Sequence, residues 1–159
     1  MRIILLGCAI MIAYGCGQQT DPEFAALQRR GAAAMGVDQY TSSHVFESLS
    51  DGGRIVLQRD SVDAEGTATI RAHMQDIAAR FAAGDFSIPG FVHAQGVPGT
   101  EVMAARRALI RYTADTLLRG AQVRIFTTDS AAIAAVHAFL AFQRSDHRAA
   151  GHEHSATRN

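Results

Sequence analysis

The sequence predicts an α+β domain in which two strand-strand-helix repeats form a four-stranded antiparallel sheet, with two helices on one face. Three observations support this fold. Each repeat contains two apolar runs of strand length joined by a short turn. Each pair of runs precedes a segment whose apolar residues recur at helical spacing. Residues 35–148 are also numerous enough to bury the core of one domain.

The first repeat spans residues 44–83. Strands are predicted over 44–49 and 54–59, because Asp51-Gly52 between two apolar runs is a strong hairpin signal. A helix is predicted over about 65–83, ending at Gly84. Its apolar stripe has spacings of 4, 3 and 4 residues and consists of Ile70, Met74, Ile77 and Phe81.

The second repeat has the same order. We predict strands over 108–113 and 122–127, a turn over 115–120, and a helix over 131–144 capped by Thr128 or Asp129. The connector between the repeats, residues 85–107, contains Pro89 and Pro98 and is expected to be a surface loop with a short helix near 100–106. Binding residues are over-represented on such loops.

The N-terminus has the features of an export signal. Residues 1–15 combine a positive Arg2, a short apolar run and small residues before Cys16. This segment resembles a bacterial lipoprotein signal peptide. The resemblance implies a lipid on Cys16 and a membrane anchor on the periplasmic side of the cell envelope, and Gly17 favours the outer membrane.

Two segments are expected to flank the folded domain. Residues 16–34 are predicted to be a lipidated tether and lead-in, with a short helix that Pro22 starts and Gly31 ends. Residues 149–159 are predicted to be a disordered tail, in which His152 and His154 could bind a divalent ion loosely.

Composition excludes several classes of function. Lys plus Arg and Asp plus Glu both number 15, so we expect no nucleic-acid partner. Both cysteines, Cys8 and Cys16, lie in the leader, which excludes a thiol nucleophile or cysteine metal site from the folded part. The sequence has no Gly-x-Ser-x-Gly, phosphate-loop or His-Glu-x-x-His motif. Whether the chain is an enzyme is therefore left open.

Histidine is the residue type that could carry chemistry. His73 and His137 occupy similar places in the two repeat helices, and His93 lies in the connector. Neutral imidazoles bind copper and zinc well, so we predict a transition-metal site of His73, His93 and His137. Met103 and His147 are possible additional ligands, and thioethers such as those of Met103 and Met35 favour copper. The alternative is that these side chains only hydrogen-bond and pack.

The chain also resembles a group of small exported bacterial proteins without an established activity. The resemblance covers residues 35–148 and includes a Met-Gly-Val-Asp-Gln segment from Met35, a Gly-Asp-Phe-Ser segment from Gly84, and an Ala-Val-His-Ala-Phe-Leu segment from Ala135. Members are sometimes named aspartate carbamoyltransferase. The sequence gives that name no support, because it lacks the Ser-Thr-Arg-Thr phosphate loop.

Together these features predict an envelope lipoprotein that binds a transition metal or small ligand through a histidine cluster. One alternative is a protein-interaction module that docks an envelope partner through the sheet or connector. Another is a small hydrolase or isomerase that uses a His/Asp pair, for which Asp85 and His93 are candidates. A metal site requires the histidines to converge, whereas a docking module requires an exposed apolar patch.

Overall fold

A computed structural model of the chain describes residues 21–149. The predictions for the signal peptide (1–15), for Cys16 and for the tail histidines His152 and His154 lie outside this range. The main elements, in chain order, are α1 (Pro22–Met35), β1 (Ser42–Leu49), β2 (Gly52–Arg59), α2 (Ala64–Ala83), α3 (Ser87–His93), α4 (Thr100–Ala105), β3 (Ile110–Leu117), β4 (Gly120–Thr127) and α5 (Ser130–Asp146).

The four strands form one antiparallel sheet in the order β1-β2-β4-β3, which confirms the predicted α+β class. The two hairpins meet through β2 and β4, where Gly52 lies opposite Phe126. Gly52 has a φ of 128°, and a Cβ there would lie 2.3 Å from the carbonyl oxygen of Ile125. Only glycine fits both this conformation and this close approach.

Each long helix packs mainly on the hairpin of the other repeat. α2 follows the first hairpin but contacts chiefly β3 and β4, while α5 follows the second and contacts chiefly β1 and β2. The core lies between these helices and the sheet. Its largest fully buried side chains include Phe81, Phe139, Leu57, Ile70 and Ile125. This crossed arrangement decides which helix residues face each other.

Gly31 does not end the first helix, contrary to the sequence prediction. α1 continues to Met35 and ends at Gly36, whose φ of 74° is the left-handed conformation that favours glycine. Gly31 lies inside the helix with the Gln39 side chain packed on it, and a Cβ would be 2.9 Å from Gln39 Oε1. α1 packs on α3 and buries Leu27, so part of the segment assigned to the tether belongs to the packed domain.

Several further details differ from prediction; β3, for example, begins at Ile110 rather than at 108. β3 extends to Leu117, although a turn was expected over 115–120. Asp115 occupies an exposed strand position opposite Gln122, which is compatible with its polar side chain. The connector contains α3 in addition to the predicted short helix, observed as α4. Pro89 suggested a loop, but it lies in the first turn of α3, where a backbone N–H has no helical partner.

Candidate functional site: a histidine-lined cavity

A cavity of about 80 Å³ lies between the inner face of the sheet and helices α1, α2, α3 and α5. Four histidines from four elements line it, and we call it the histidine cavity. They are His44 of β1, His73 of α2, His93 of α3 and His147 at the C-terminal cap of α5. Most of the other lining side chains are apolar, among them Met35, Phe46, Leu57, Met74, Phe81 and Phe139.

Local structure explains each position. His44 lies opposite the buried Leu57 and two residues before the buried Phe46, so strand alternation places it on the core face. His73 is next to Met74 at the margin of the apolar stripe of α2. His147 donates its backbone N–H to the carbonyl of Gln143, 3.0 Å away, and so caps the last turn of α5.

Three of the rings form a continuous cluster with His147 in the middle. The ring centroids of His147 and His44 are 5.2 Å apart with an interplanar angle of 20°. Those of His147 and His93 are 5.0 Å apart and nearly perpendicular, at 88°. The Phe46 ring lies 5.5 Å from that of His147 and covers one side of the cluster.

Burial lowers the pKa of three cavity imidazoles, those of His44, His73 and His147. Desolvation lowers the pKa of His44 to about 4, and the nearby His73 lowers it further while Asp60 acts in the opposite direction. Desolvation also lowers the pKa of His147 to about 3, with smaller effects from His44 and His93. The pKa of His73 is lowered for the same reason, although Asp76 partly offsets the effect. At neutral pH these rings therefore keep a free lone pair.

His93 has a polar partner at each ring nitrogen. Its Nδ1 contacts the carboxylate of Asp146, and its Nε2 lies 2.9 Å from Oε1 of Gln143. The His93 side chain is fully buried, whereas that of Asp146 is 35% exposed in a polar surface cleft that His93 also lines. The predicted pairing with Asp85 does not occur, because the Asp85 carboxylate accepts hydrogen bonds from Arg80 and from the backbone of Ser87.

Two thioethers and one unpaired amide oxygen complete the lining. Met35 and Met74 both border the cavity, and the side-chain N–H of Gln39 donates to the Met35 sulfur at 3.8 Å. Oε1 of Gln39 is buried and has no hydrogen-bond partner among residues 21–149. A polar occupant of the cavity could satisfy this acceptor.

The structure brings together His73, His93 and His147 of the predicted ligands, but not His137 or Met103. The Nε2–H of His137 donates to the carbonyl of Leu49 at 2.8 Å, which corresponds to the alternative of a structural histidine. Met103 is fully buried in the core on α4, which packs on α5. Neither residue lines the histidine cavity.

Sequence reasoning missed His44. The signal that could have found it is the alternation of β1, because a histidine two residues before a buried phenylalanine shares its face of the sheet.

The described part of the chain shows two further absences. No group of three His, Cys, Asp or Glu side chains between residues 21 and 149 is placed so that it could hold a metal ion. No helix in this range is long and apolar enough to cross a membrane.

Comparisons with known proteins identify no relative. No family model matches the chain, and neither the curated proteins nor the solved structures compared with it give a match. A function for this chain must therefore be argued from the cavity itself.

Proposed function

We propose that the histidine cavity binds a transition-metal ion, with copper favoured over zinc. The first ligands are the imidazoles of His44, His73 and His147. The observation that supports this function is the convergence of neutral histidines from separate elements on one small, mainly apolar cavity. A metal ion binds the neutral imidazole, so here it need not displace a proton at neutral pH.

Ring spacing supports the proposal. Two imidazoles on one tetrahedral ion have ring centroids about 5 Å apart when each metal–nitrogen bond is about 2.0–2.1 Å. The observed centroid separations are 5.2 Å for His44 and His147 and 5.0 Å for His147 and His93. Metal binding therefore requires the cavity to rearrange, because His44 and His147 are stacked and no three ligands among the described residues are placed to hold an ion.

The size of the cavity favours an ion over an organic ligand. An engineered apolar cavity of about 150 Å³ binds benzene, and one water needs about 10–15 Å³. The histidine cavity, at about 80 Å³, is smaller than that benzene site. It has room for a metal ion and a few water-sized ligands.

The thioethers favour copper. Met35 and Met74 are soft ligands, which select Cu(I), whereas zinc prefers imidazole, thiolate and carboxylate. The aromatic rings of Phe46, Phe81 and Phe139 line the same space and make it mainly apolar. Such an apolar shell limits solvent access to a bound ion and lowers the local dielectric.

We infer a cellular setting from the N-terminus. The signal-like residues 1–15 and Cys16 suggest a lipid-anchored protein on the periplasmic side of the envelope, in the outer membrane. In that setting the domain would hold copper at the membrane surface and exchange it with an envelope protein. Labelling of Cys16 with a palmitate analogue, absent in Cys16→Ser, tests the anchor.

A Cu(I) titration against a chromophoric chelator tests the proposed site. We would use the full chain without an affinity tag, with Cys8→Ser and Cys16→Ser to remove the thiols. We expect one tightly bound Cu(I) per chain, with affinity at least about tenfold weaker in His147→Phe, which loses an imidazole but keeps an aromatic ring.

Two matched controls separate the cavity from the other histidines. His137→Gln can still donate to the Leu49 carbonyl and should bind copper like the parent protein. A variant with His152→Ala and His154→Ala should also keep the tight site. Absence of tight binding, or equal affinity in His147→Phe, would overturn the proposal.

A second candidate function is proton-transfer catalysis, because the structure pairs His93 with Asp146 at the cavity wall. No serine, threonine or cysteine is among the described residues lining the cavity, so this geometry favours an isomerase over a hydrolase with a side-chain nucleophile. Deuterium incorporation into small carbonyl compounds in D₂O would measure the activity. We expect Asp146→Asn to abolish any such exchange; no exchange with the parent protein would eliminate this candidate.

A further inference from the structure

We propose that the chain forms a symmetric dimer, in which the β3 strands of two copies pair antiparallel and join the two sheets into one. β3 is the last strand in the order β1-β2-β4-β3, so its outer edge has no partner strand among residues 21–149. An antiparallel pair of identical strands is related by a two-fold axis, which is the commonest symmetry of protein oligomers. The dimer does not depend on the proposed copper site.

β3 lacks the features that usually keep an edge strand from pairing. It is eight residues long, Ile110–Leu117, and contains neither proline nor lysine. Its register with β4 runs without a break from Ile110, opposite Thr127, to Leu117, opposite Gly120, so no bulge turns this edge away. Natural proteins commonly protect an edge with lysine, proline, a bulge or a very short strand. The backbone of β3 is therefore open to a second strand.

The backbone groups that face the free edge belong to the even-numbered residues of β3. Thr127 of β4 donates its backbone N–H to the carbonyl of Asp51, on the β2 side, at 3.0 Å. Ile110 lies opposite Thr127, so its own N–H and C=O face away from β4. The alternation of an antiparallel ladder gives every second residue up to Thr116 the same orientation. These groups can form a ladder with the same groups of a second β3.

Side chains on the outer face of β3 carry complementary charges at equal distances from Thr113. Ile110 is buried in the core, so strand alternation directs the side chains of odd-numbered residues away from it. Arg111 and Asp115 lie two residues before and two residues after Thr113, and all three are exposed. Antiparallel pairing centred on Thr113 therefore places Arg111 opposite the partner's Asp115 on both sides of the axis. Opposite charges and Thr–Thr pairs at such positions stabilise a sheet.

The two charges are not neutralised within one copy of the chain. Arg111 lies over the Phe126 ring, with its Cζ 5.1 Å from the centroid, and Asp115 accepts a hydrogen bond from Gln122 at 3.3 Å. Neither forms an ion pair within residues 21–149. On the opposite edge of the sheet, by contrast, the one outer charge of β1, Glu47, is already paired with Arg54. The free charges therefore favour pairing through β3.

The ends of β3 and the choice of register agree with this pairing. Leu109, just before the strand, is 55% exposed, and Leu118, in the turn after it, is 88% exposed. In the proposed register Leu109 lies beside the end of the partner's β3, near the partner's Leu117. A shift by two residues would place Arg111 opposite the partner's Thr113 or the partner's Leu117, and both charges would lose their partners.

Sedimentation velocity of the thiol-free full chain, measured without metal, tests the dimer. We expect a monomer–dimer equilibrium at concentrations up to about 100 μM, where small interfaces associate. Arg111→Asp would set two carboxylates opposite each other, and Asp115→Arg two guanidinium groups. Each substitution should weaken dimerisation by about tenfold or more, because both charge pairs of the interface become repulsive. Arg29→Asp, at an exposed position of α1, is the control and should change nothing.

Mixing the two single variants tests the register and the folding of both. An equimolar mixture of Arg111→Asp and Asp115→Arg restores opposite charges at both positions of the heterodimer. We expect this mixture to associate about as tightly as the parent protein, although neither variant does so alone. The double variant Arg111→Asp, Asp115→Arg should dimerise with itself for the same reason. A misfolded variant would not be rescued in either way.

A disulfide bond tests the position of the two-fold axis. Thr113→Cys in the thiol-free chain should cross-link two copies on mild oxidation, because the Cα atoms of a non-hydrogen-bonded pair lie about 4.5 Å apart, within disulfide reach. Thr116→Cys is the control, because the partner's Thr116 would lie about 20 Å away, six residues along the strand.

The outcomes separate the dimer from the copper site. A parent protein that stays monomeric over the whole concentration range would overturn the dimer. Association that Arg111→Asp and Asp115→Arg leave unchanged would overturn pairing through β3, as would equal cross-linking of Thr113→Cys and Thr116→Cys. Because metal is absent from these measurements, their failure leaves the proposed copper site standing, and a failure to bind copper leaves the dimer standing.

Discussion

Acidification should destabilise the metal-free protein before its carboxylates titrate. His44 and His147 have pKa values of about 4 and about 3 in the folded state, compared with an ordinary value of 6.5. Near pH 6, therefore, His44 and His147 bind protons in the unfolded chain but stay unprotonated in the folded cavity. Because the folded pKa values are lowered, this stability is fully present above pH 6.5 and is lost as the pH falls through about 4 for His44 and about 3 for His147.

The magnitude follows from the pKa difference. When the pH is lowered from 7.5 to 5.5, each of the two histidines becomes protonated in the unfolded state only. At pH 5.5, one unit below an unfolded pKa of 6.5, this lowers the free energy of unfolding by about 1.4 kcal/mol per histidine. Partial solvent access reduces the total to about 2–3 kcal/mol. With a urea dependence of about 1–3 kcal/mol per molar, the unfolding midpoint should fall by roughly 0.7–3 M.

Urea unfolding followed by circular dichroism at pH 7.5, 6.5 and 5.5 measures this effect. The double variant His44→Phe, His147→Phe keeps aromatic rings in the cavity and should lose most of the pH dependence. His137→Gln, outside the cavity, should retain it. Equal stability of the parent protein at pH 7.5 and 5.5 would refute the reasoning, as would an unchanged pH dependence in the double variant.

The remaining predictions concern the scaffold that holds the cavity. Gly52→Ala should lower the free energy of unfolding by more than about 2 kcal/mol or prevent folding, because its Cβ would lie 2.3 Å from the Ile125 carbonyl oxygen. A Cβ at Gly96 would meet nothing within 4 Å, so Gly96→Ala should change stability little. Phe139→Ala should cost about 3–5 kcal/mol, because Phe139 is 1% exposed, whereas Phe91→Ala at a 54% exposed position should cost much less. Chemical denaturation measures all four; a Phe139→Ala variant as stable as Phe91→Ala would contradict the assigned core.

The fold could be predicted because its signals are local. The Asp51-Gly52 turn and the periodicity of α2 are each contained in one stretch of sequence. Helix and strand ends were predicted less well where packing decides them. The helix continues through Gly31, where the Gln39 side chain packs closely, and the sequence pattern around Gly31 does not indicate that contact.

The site was predictable only in part, because it depends on which elements meet. The similar positions of His73 and His137 suggested that both would face one seam. However, α5 packs on β1 and β2, and His137 is directed to the end of β1 at Leu49. The same packing brings His147 to His44, a contact between residues about one hundred positions apart that periodicity cannot reveal.

X-ray absorption spectroscopy of the copper-loaded, thiol-free protein tests the central claim most directly, because it counts the nitrogen and sulfur neighbours of the ion. We predict two or more imidazole nitrogens at about 2.0 Å, accompanied by thioether sulfur, with the imidazole signal reduced in His147→Phe and intact in His137→Gln. A copper environment of oxygen ligands without imidazole, or one identical in the two variants, would contradict a metal site in the histidine cavity.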